Sequence, residues 1–209
     1  MRDKILHKAS ELFLTLGVKS VTMDDLAERM AISKKTIYEF YANKYDLIKA
    51  TTEFIFEKVI CEIDGICNKD KQNPIQNLFE INQYIHQKLK EDNNTEFQLQ
   101  KYYPDIYETL YEKKFNVVIE GITENLEKGI AMGLYRKDIN IHVISRFYFN
   151  GTNTLKNPHI FPIEEYKVSE LIHEYLVYFI RAIATPKGLK ELEKYIKKNN
   201  SVLVIKSTH

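Results

Sequence analysis

Apolar residues recur along this chain at three- and four-residue spacing, and no stretch alternates apolar with polar long enough to define a strand. Residues 3–16 place Ile5, Leu6, Ala9, Leu12, Phe13 and Leu16 on one face, the stripe of an amphipathic helix. Gly17 supplies its stop. Val18 and Val21 lead to Thr22, which reads as the N-cap of a second helix, with Asp24 and Asp25 in the first turn where the macrodipole favours negative charge. The buried face of that helix is Met23, Leu26, Ala27 and Met30, spaced as successive turns require. Ala31-Ile32 reads as a tight turn, with Ile32 plugging the space between helices. Ser33 caps a third helix from Lys34 to Phe40, with Ile37 inward. The pattern predicts a bundle around Phe13, Leu26, Ile37 and Tyr41.

The same spacing continues. Asn43 reads as a cap with Asp46 three residues on, and a long helix runs from Lys44 to about Cys67, the connection between two halves. Residues 68–73 are polar and loop-like. Asn73-Pro74 then reads as cap and first helical residue, opening a helix to Leu89. Charge and Asn break the pattern over 90–95. A short helix from Phe97 to Tyr103 stops before Pro104, a longer one spans 105–131 and ends at Gly133, and another spans 139–155. Residues 163–184 carry the widest stripe: Val168, Leu171, Ile172, Tyr175, Leu176, Phe179, Ile180 and Ile183. Thr185-Pro186 opens a last short helix through Tyr195, and the tail after Lys198 reads as loose, with Val202–Ile205 able to pair or pack.

Composition narrows the function. The 209 residues hold few Gly and Pro and carry a formal net charge of only +1. A non-specific polycation is excluded, so any nucleic-acid binding rests on a local patch. Cys61 and Cys67 have no zinc or redox spacing. Arg2, Asp3 and Lys4 lead straight into a helix, and no apolar run reaches membrane-spanning length. A cytoplasmic protein without membrane contact is the expectation. HExxH, Cys/His clusters, Gly-rich phosphate loops and nucleophile elbows are missing. Glu53, Glu57 and Glu80 have no His on the same face. Neither an enzyme nor a cofactor or metal site is expected.

The third helix carries the chemistry. Its first turn bears Lys34, Lys35, Thr36 and Tyr38 behind the Ser33 cap, a shape suited to a DNA major groove; a solvated helical hairpin is the alternative. Lys34 and Lys35 are placed to donate to guanine O6 or N7, and Thr36 to meet a base edge, a thymine methyl or a phosphate. Thr22 places a backbone N–H of a helix N-terminus where a phosphate can lie.

Leu16-Gly17, Thr22, Leu26-Ala27, Ile32-Ser33, Thr36-Ile37-Tyr38, Tyr41, Lys44 and Leu47 together resemble the DNA-binding domain of the TetR family of bacterial transcriptional repressors. The resemblance covers residues 5–48. It implies that Tyr38 and Lys44 hold phosphates, with Tyr41 packing nearby or joining them, and that a homodimer places two such helices on double-stranded operator DNA. Half-sites would lie one or more turns apart, roughly 34 Å per turn, hence a palindromic operator. Many members have Gly or Pro where this chain has Lys35, so its base contacts are its own.

The resemblance also implies a small hydrophobic or amphipathic effector bound by the second half. Most of the 14 Tyr and 11 Phe residues lie there. Tyr84, His86, Tyr103, Tyr107, Phe115, Phe147 and Tyr148 are the candidate lining; simple core filling is the alternative for each ring. The wide stripe of 163–184 suggests burial on two sides, so a dimer interface is expected near residues 139–184, with Leu171, Ile172, Tyr175, Leu176, Phe179 and Ile183 as its candidates; plain burial inside a monomer is the alternative. The expectation is therefore an all-α protein with a helix-turn-helix DNA-binding domain at 1–48 and a helical effector-binding and dimerisation domain at 49–209. Ligand and DNA binding would be reciprocal negative couplings, typically about 1–3 kcal/mol, with the helix from Lys44 as the lever. The competing reading is an intracellular helical small-molecule-binding protein without sequence-specific DNA binding.

Overall fold

The computed structural model describes residues 1–67, 73–89, 95–162 and 164–206, with side chains to residue 199. The expected loop at 68–72 and the break at 90–94 lie outside the described residues. Among those described, the chain is all α-helix: α1 Arg2–Leu16, α2 Met23–Met30, α3 Lys34–Tyr38, α4 Lys44–Cys67, α5 Pro74–Leu89, α6 Thr95–Tyr102, α7 Pro104–Ala131, α8 Ile141–Thr154, α9 Val168–Ile183 and α10 Pro186–Lys206. It forms two compact units, one of Met1–Gly65 with Ile85–Lys114, the other of Ile66–Tyr84 with Phe115–His209.

Local chemistry sets the ends of the helices in the first unit. Gly17, at φ 81°, donates its amide to the Phe13 carbonyl at 3.0 Å and closes α1. Thr22 and Asp25 make a reciprocal capping box at the start of α2. Ala31 ends α2 in the left-handed region, at φ 52°. The Ser33 hydroxyl accepts from the Thr36 amide at 3.0 Å, and Asn43 caps α4 by accepting from the Asp46 amide at 2.9 Å. α3 is shorter than its apolar pattern suggested: the Phe40 and Tyr41 amides both bond back to the Ile37 carbonyl, which winds the chain out of the helix after Tyr38. The core of this unit joins Ile5, Phe13, Leu26, Ile37, Leu47 and Ile48 to Leu99 of α6 and Ile106 of α7.

The second unit centres on Leu78, Leu126, Tyr135, Leu176, Ile180 and Leu192. Two polar pairs sit in it, where burial without a partner would cost about 1–3 kcal/mol per group, whereas the buried Asn77 Oδ1 has no hydrogen-bond partner. Asn82 donates to the Tyr148 hydroxyl at 2.7 Å, and the Tyr135 hydroxyl donates to Asn125 at 3.2 Å. Burial pushes the Tyr148 phenol up to about 12. An isolated antiparallel bridge ties Tyr135 to Ala184. The last helix departs from expectation: α10 runs on to Lys206, so the tail after Lys198 continues a helix instead of hanging loose.

Candidate nucleic-acid interface

α3 stands on α2 through one buried residue. Ile37 is fully buried, while Ser33, Lys34, Lys35 and Tyr38 are exposed and Thr36 is half-buried. One inward position and an exposed first turn give a helix whose N-terminal tip faces solvent. The Ser33 and Thr36 hydroxyls lie 2.8 Å apart, so the cap also orients the Thr36 side chain.

The cations are not equivalent. Lys34 pairs with Asp24 of α2 at 2.9 Å and lies 5.9 Å from the Tyr38 ring centre. The bond from Asp24 holds the Lys34 ammonium above its ordinary value. Lys35 has no ion pair among the described residues and is the tip's uncommitted cation. Lys44 donates to the Lys19 carbonyl at 3.0 Å; partial burial lowers its pKa, opposed by the Asp25 carboxylate.

One expected phosphate contact is corrected, and the groups of a second are shared with a helix cap. Tyr41 is only 4% exposed, and its hydroxyl is buried without a hydrogen-bond partner. Its ring is part of the core, so the phenol does not reach a phosphate. The Thr22 amide is already used, donating to Asp25 Oδ2 at 2.8 Å, and the Thr22 hydroxyl donates to the same oxygen at 2.7 Å. Thr22 serves the cap first. Asp24, which neutralises Lys34, was missed by sequence reasoning; ten residues separate the two across a turn, and no periodicity links them.

The seven candidate ligand residues are divided between the two units. Tyr103 and Tyr107 pack against the core of the first unit. Phe115 meets Phe149 edge-on at 5.1 Å, and Tyr148 is buried against Phe179 at 5.1 Å. Phe147 is 61% exposed, and Tyr84 and His86 are half-buried on α5. Tyr148 thus fills core, and Phe147 lies on the surface. A cleft of about 100 Å³ does open between α4 and α7, lined by Tyr45, Lys49, Phe56, Ile106, Leu110 and Lys113 among others. Drug-sized ligands occupy about 300–1,000 Å³, so this cleft is small for one.

Four of the six candidate dimer residues are corrected as well. Ile172, Leu176, Phe179 and Ile183 are buried within the protomer's own core. The Tyr175 hydroxyl donates to the Phe147 carbonyl at 2.9 Å, and a Cβ at Gly151 would lie 2.2 Å from that hydroxyl oxygen. The stripe is wide because α8 and α10 both pack on α9. Of the six, Leu171 and Tyr175 are half-buried. The apolar groups exposed on α8 and α9 are Val143 at 42%, Phe147 at 61% and Tyr178 at 70%.

A capped, protruding α3 held on α2 by Ile37 defines a helix-turn-helix protein. Residues 5–51 match the family model described as bacterial regulatory proteins of the tetR family. It is 30% identical over 81 residues to the biofilm operon icaADBC HTH-type negative transcriptional regulator IcaR of Staphylococcus epidermidis. That match covers 39% of this chain and 43% of the relative, less than half of its length. A transcriptional regulator from Cytophaga hutchinsonii has a similar fold, with TM-score 0.72, 17% identity, and 88% of this chain and 98% of that chain covered. SmeT, the repressor of the Stenotrophomonas maltophilia multidrug efflux pump SmeDEF, is similar with TM-score 0.66, 14% identity, and 89% and 91% covered. No helix among the described residues is long and apolar enough to cross a membrane.

Proposed function

We propose that this protein is a transcriptional regulator, a repressor, that binds a palindromic operator as a homodimer and is released by a small hydrophobic or amphipathic effector. The observation that carries this reading is the exposed tip of α3, where Lys35, Thr36 and Tyr38 stand out from a helix anchored by Ile37. Residues 1–48 read DNA in this proposal, and residues 49–209 bind the effector and dimerise. Lys35 and, when released from Asp24, Lys34 reach base edges, while Tyr38 and Lys44 hold phosphates. The match of residues 5–51 to the tetR family model supports the role, and the description of IcaR as a negative transcriptional regulator favours repression over activation.

Dimerisation is assigned to the face bearing Val143, Phe147 and Tyr178. Three large apolar groups left in water on two packed helices are what a second subunit would cover. α4 is unbroken from Lys44 to Cys67, which supports its role as the lever between effector and DNA.

The test is a mobility shift on the DNA flanking the protein's own gene, with Lys35→Ala and Lys44→Ala beside the wild type. Sequence-specific retardation, weakened by both substitutions, is the expected result. No retardation of any duplex by the folded wild type would instead favour a ligand-binding protein that does not read DNA.

A further inference from the structure

Two cations share one aromatic ring beside the start of α4. The ammonium groups of Lys19 and Lys101 lie 4.7 and 5.5 Å from the centre of the Tyr102 ring. Lys19 Nζ also donates to the Tyr102 hydroxyl at 3.2 Å. All three side chains are exposed. Lys19 sits in the connection between α1 and α2, whereas Lys101 and Tyr102 end α6, so the fold must bring them together.

Several contacts hold that arrangement. The Lys19 amide donates to Gln98 Oε1 at 3.2 Å, and the Thr95 hydroxyl donates to the Phe13 carbonyl at 3.3 Å. Leu99 is buried in the same core as Phe13 and Val18. Gly17 makes the close approach possible, since a Cβ there would lie 2.4 Å from the Gln98 amide.

Among the described residues, the cluster lacks a counter-charge. Neither lysine has an ion pair among the described residues, and nearby acids are engaged elsewhere. Glu96 pairs with Lys114 at 3.0 Å, and Asp105 accepts from the Tyr45 hydroxyl. The phenol reports the surplus field: the bond from Lys19, reinforced by both ammonium charges, draws the Tyr102 pKa below its ordinary value. Like charges held close without a carboxylate repel, and an anion seated between them relieves the repulsion. The cluster is also continuous with the proposed phosphate contact at Lys44, whose ammonium donates to the Lys19 carbonyl at 3.0 Å.

We propose that Lys19, Lys101 and Tyr102 form a phosphate-binding site that grips the DNA backbone beyond Lys44. This rests on the DNA-binding reading above. The site adds affinity without sequence preference, because a phosphate carries no base information. It also makes the grip depend on α6 remaining seated against the α1–α2 connection.

The test is fluorescence anisotropy of the full chain on a random-sequence duplex across a range of salt concentrations. Lys19→Gln and Lys101→Gln should each flatten the log–log salt slope by about 0.9, and the double variant by about 1.8. Lys101 is exposed and its substitution leaves the backbone contacts of Lys19 intact, so it separates charge from folding. Unchanged slopes in both single variants, with a flatter slope for Lys44→Ala, would overturn this site and leave the DNA-binding reading standing. Wild type that binds no duplex would overturn both. Saturable shifts of the Lys19 amide resonance with inorganic phosphate, alongside an unchanged DNA slope, would reassign the cluster to a free anion and overturn the backbone grip.

Discussion

Lys34 Nζ lies 2.9 Å from the Asp24 carboxylate, so a proposed base-reading cation of α3 is tied to the first turn of α2. The pair is exposed on both sides, and such pairs contribute little to stability. Its effect is on availability: Lys34 has to leave Asp24 before it meets DNA. Asp24→Asn should therefore tighten binding to any duplex and steepen the salt slope by up to about 0.9, the value for one added phosphate-type contact. Anisotropy titrations at several salt concentrations measure this. An unchanged affinity and slope would show that Lys34 does not approach DNA.

Lys35 carries no such restraint. Direct readout by this side chain predicts that Lys35→Ala loses preference at one operator position by about 1–3 kcal/mol. Binding to a panel of single-base operator variants would reveal that position. Equal losses on operator and random DNA would instead make Lys35 a phosphate contact.

What the sequence disclosed follows from how local each interaction is. The caps at Thr22, Ser33, Asn43 and Asn73 were legible because each partner amide lies three residues away. Gly17 and Gly133 ended their helices where the apolar stripes ran out. The contacts from Gln98 and Tyr102 to Lys19 span 79 and 83 residues, and no periodicity encodes them. Apolar spacing also shows that a helix has a buried face without showing what covers it. That is why the broad stripe of α9 suggested a partner subunit when α8 and α10 supply the cover. Tyr41 illustrates the same limit: an amphipathic side chain fits a core or a rim equally well until its hydroxyl is located.

The Thr22–Asp25 capping box links stability to pH. Hydrogen bonds from the Thr22 side chain and amide hold the Asp25 carboxyl below its ordinary value of 3.8. A pKa depressed by folding means the ionised form favours the native state. That contribution is complete above the ordinary value and is lost as pH falls through the folded one. Thr22→Ala should cost about 1 kcal/mol at neutral pH and should weaken the dependence of unfolding midpoints on pH in the acid range. Urea titrations at a series of pH values check both; an identical acid dependence in the variant would separate Asp25 from the cap.

Two glycines in helices should respond to alanine in opposite directions. A Cβ at Gly188 of α10 would lie 2.1 Å from the Leu134 carbonyl oxygen, backbone held in place by a bond from the Thr185 amide at 2.9 Å. Gly121 of α7 has nothing within 4 Å of the same position. Gly121→Ala should gain roughly 0.5–1 kcal/mol from reduced chain entropy. Gly188→Ala should lose about 1–3 kcal/mol, as forced overpacking outweighs helix propensity. Thermal unfolding of both variants provides the comparison, and a gain at Gly188 would mean that the turn at Leu134 yields freely.

Phe147 and Tyr178 bear the dimer proposal. Both are mostly exposed, so charge at either position leaves the protomer core intact. Phe147→Asp and Tyr178→Glu should therefore yield folded monomers, seen as halved mass in sedimentation equilibrium with native-like circular dichroism. Leu176 is almost fully buried, and Leu176→Asp should unfold the second unit instead, because an unpaired charge in a core costs several kcal/mol. The contrast separates surface from core on one helix. The monomeric variants should also lose most operator affinity, since one protomer reaches only one half-site. Dimers that persist in both surface variants would move the subunit contact to another face.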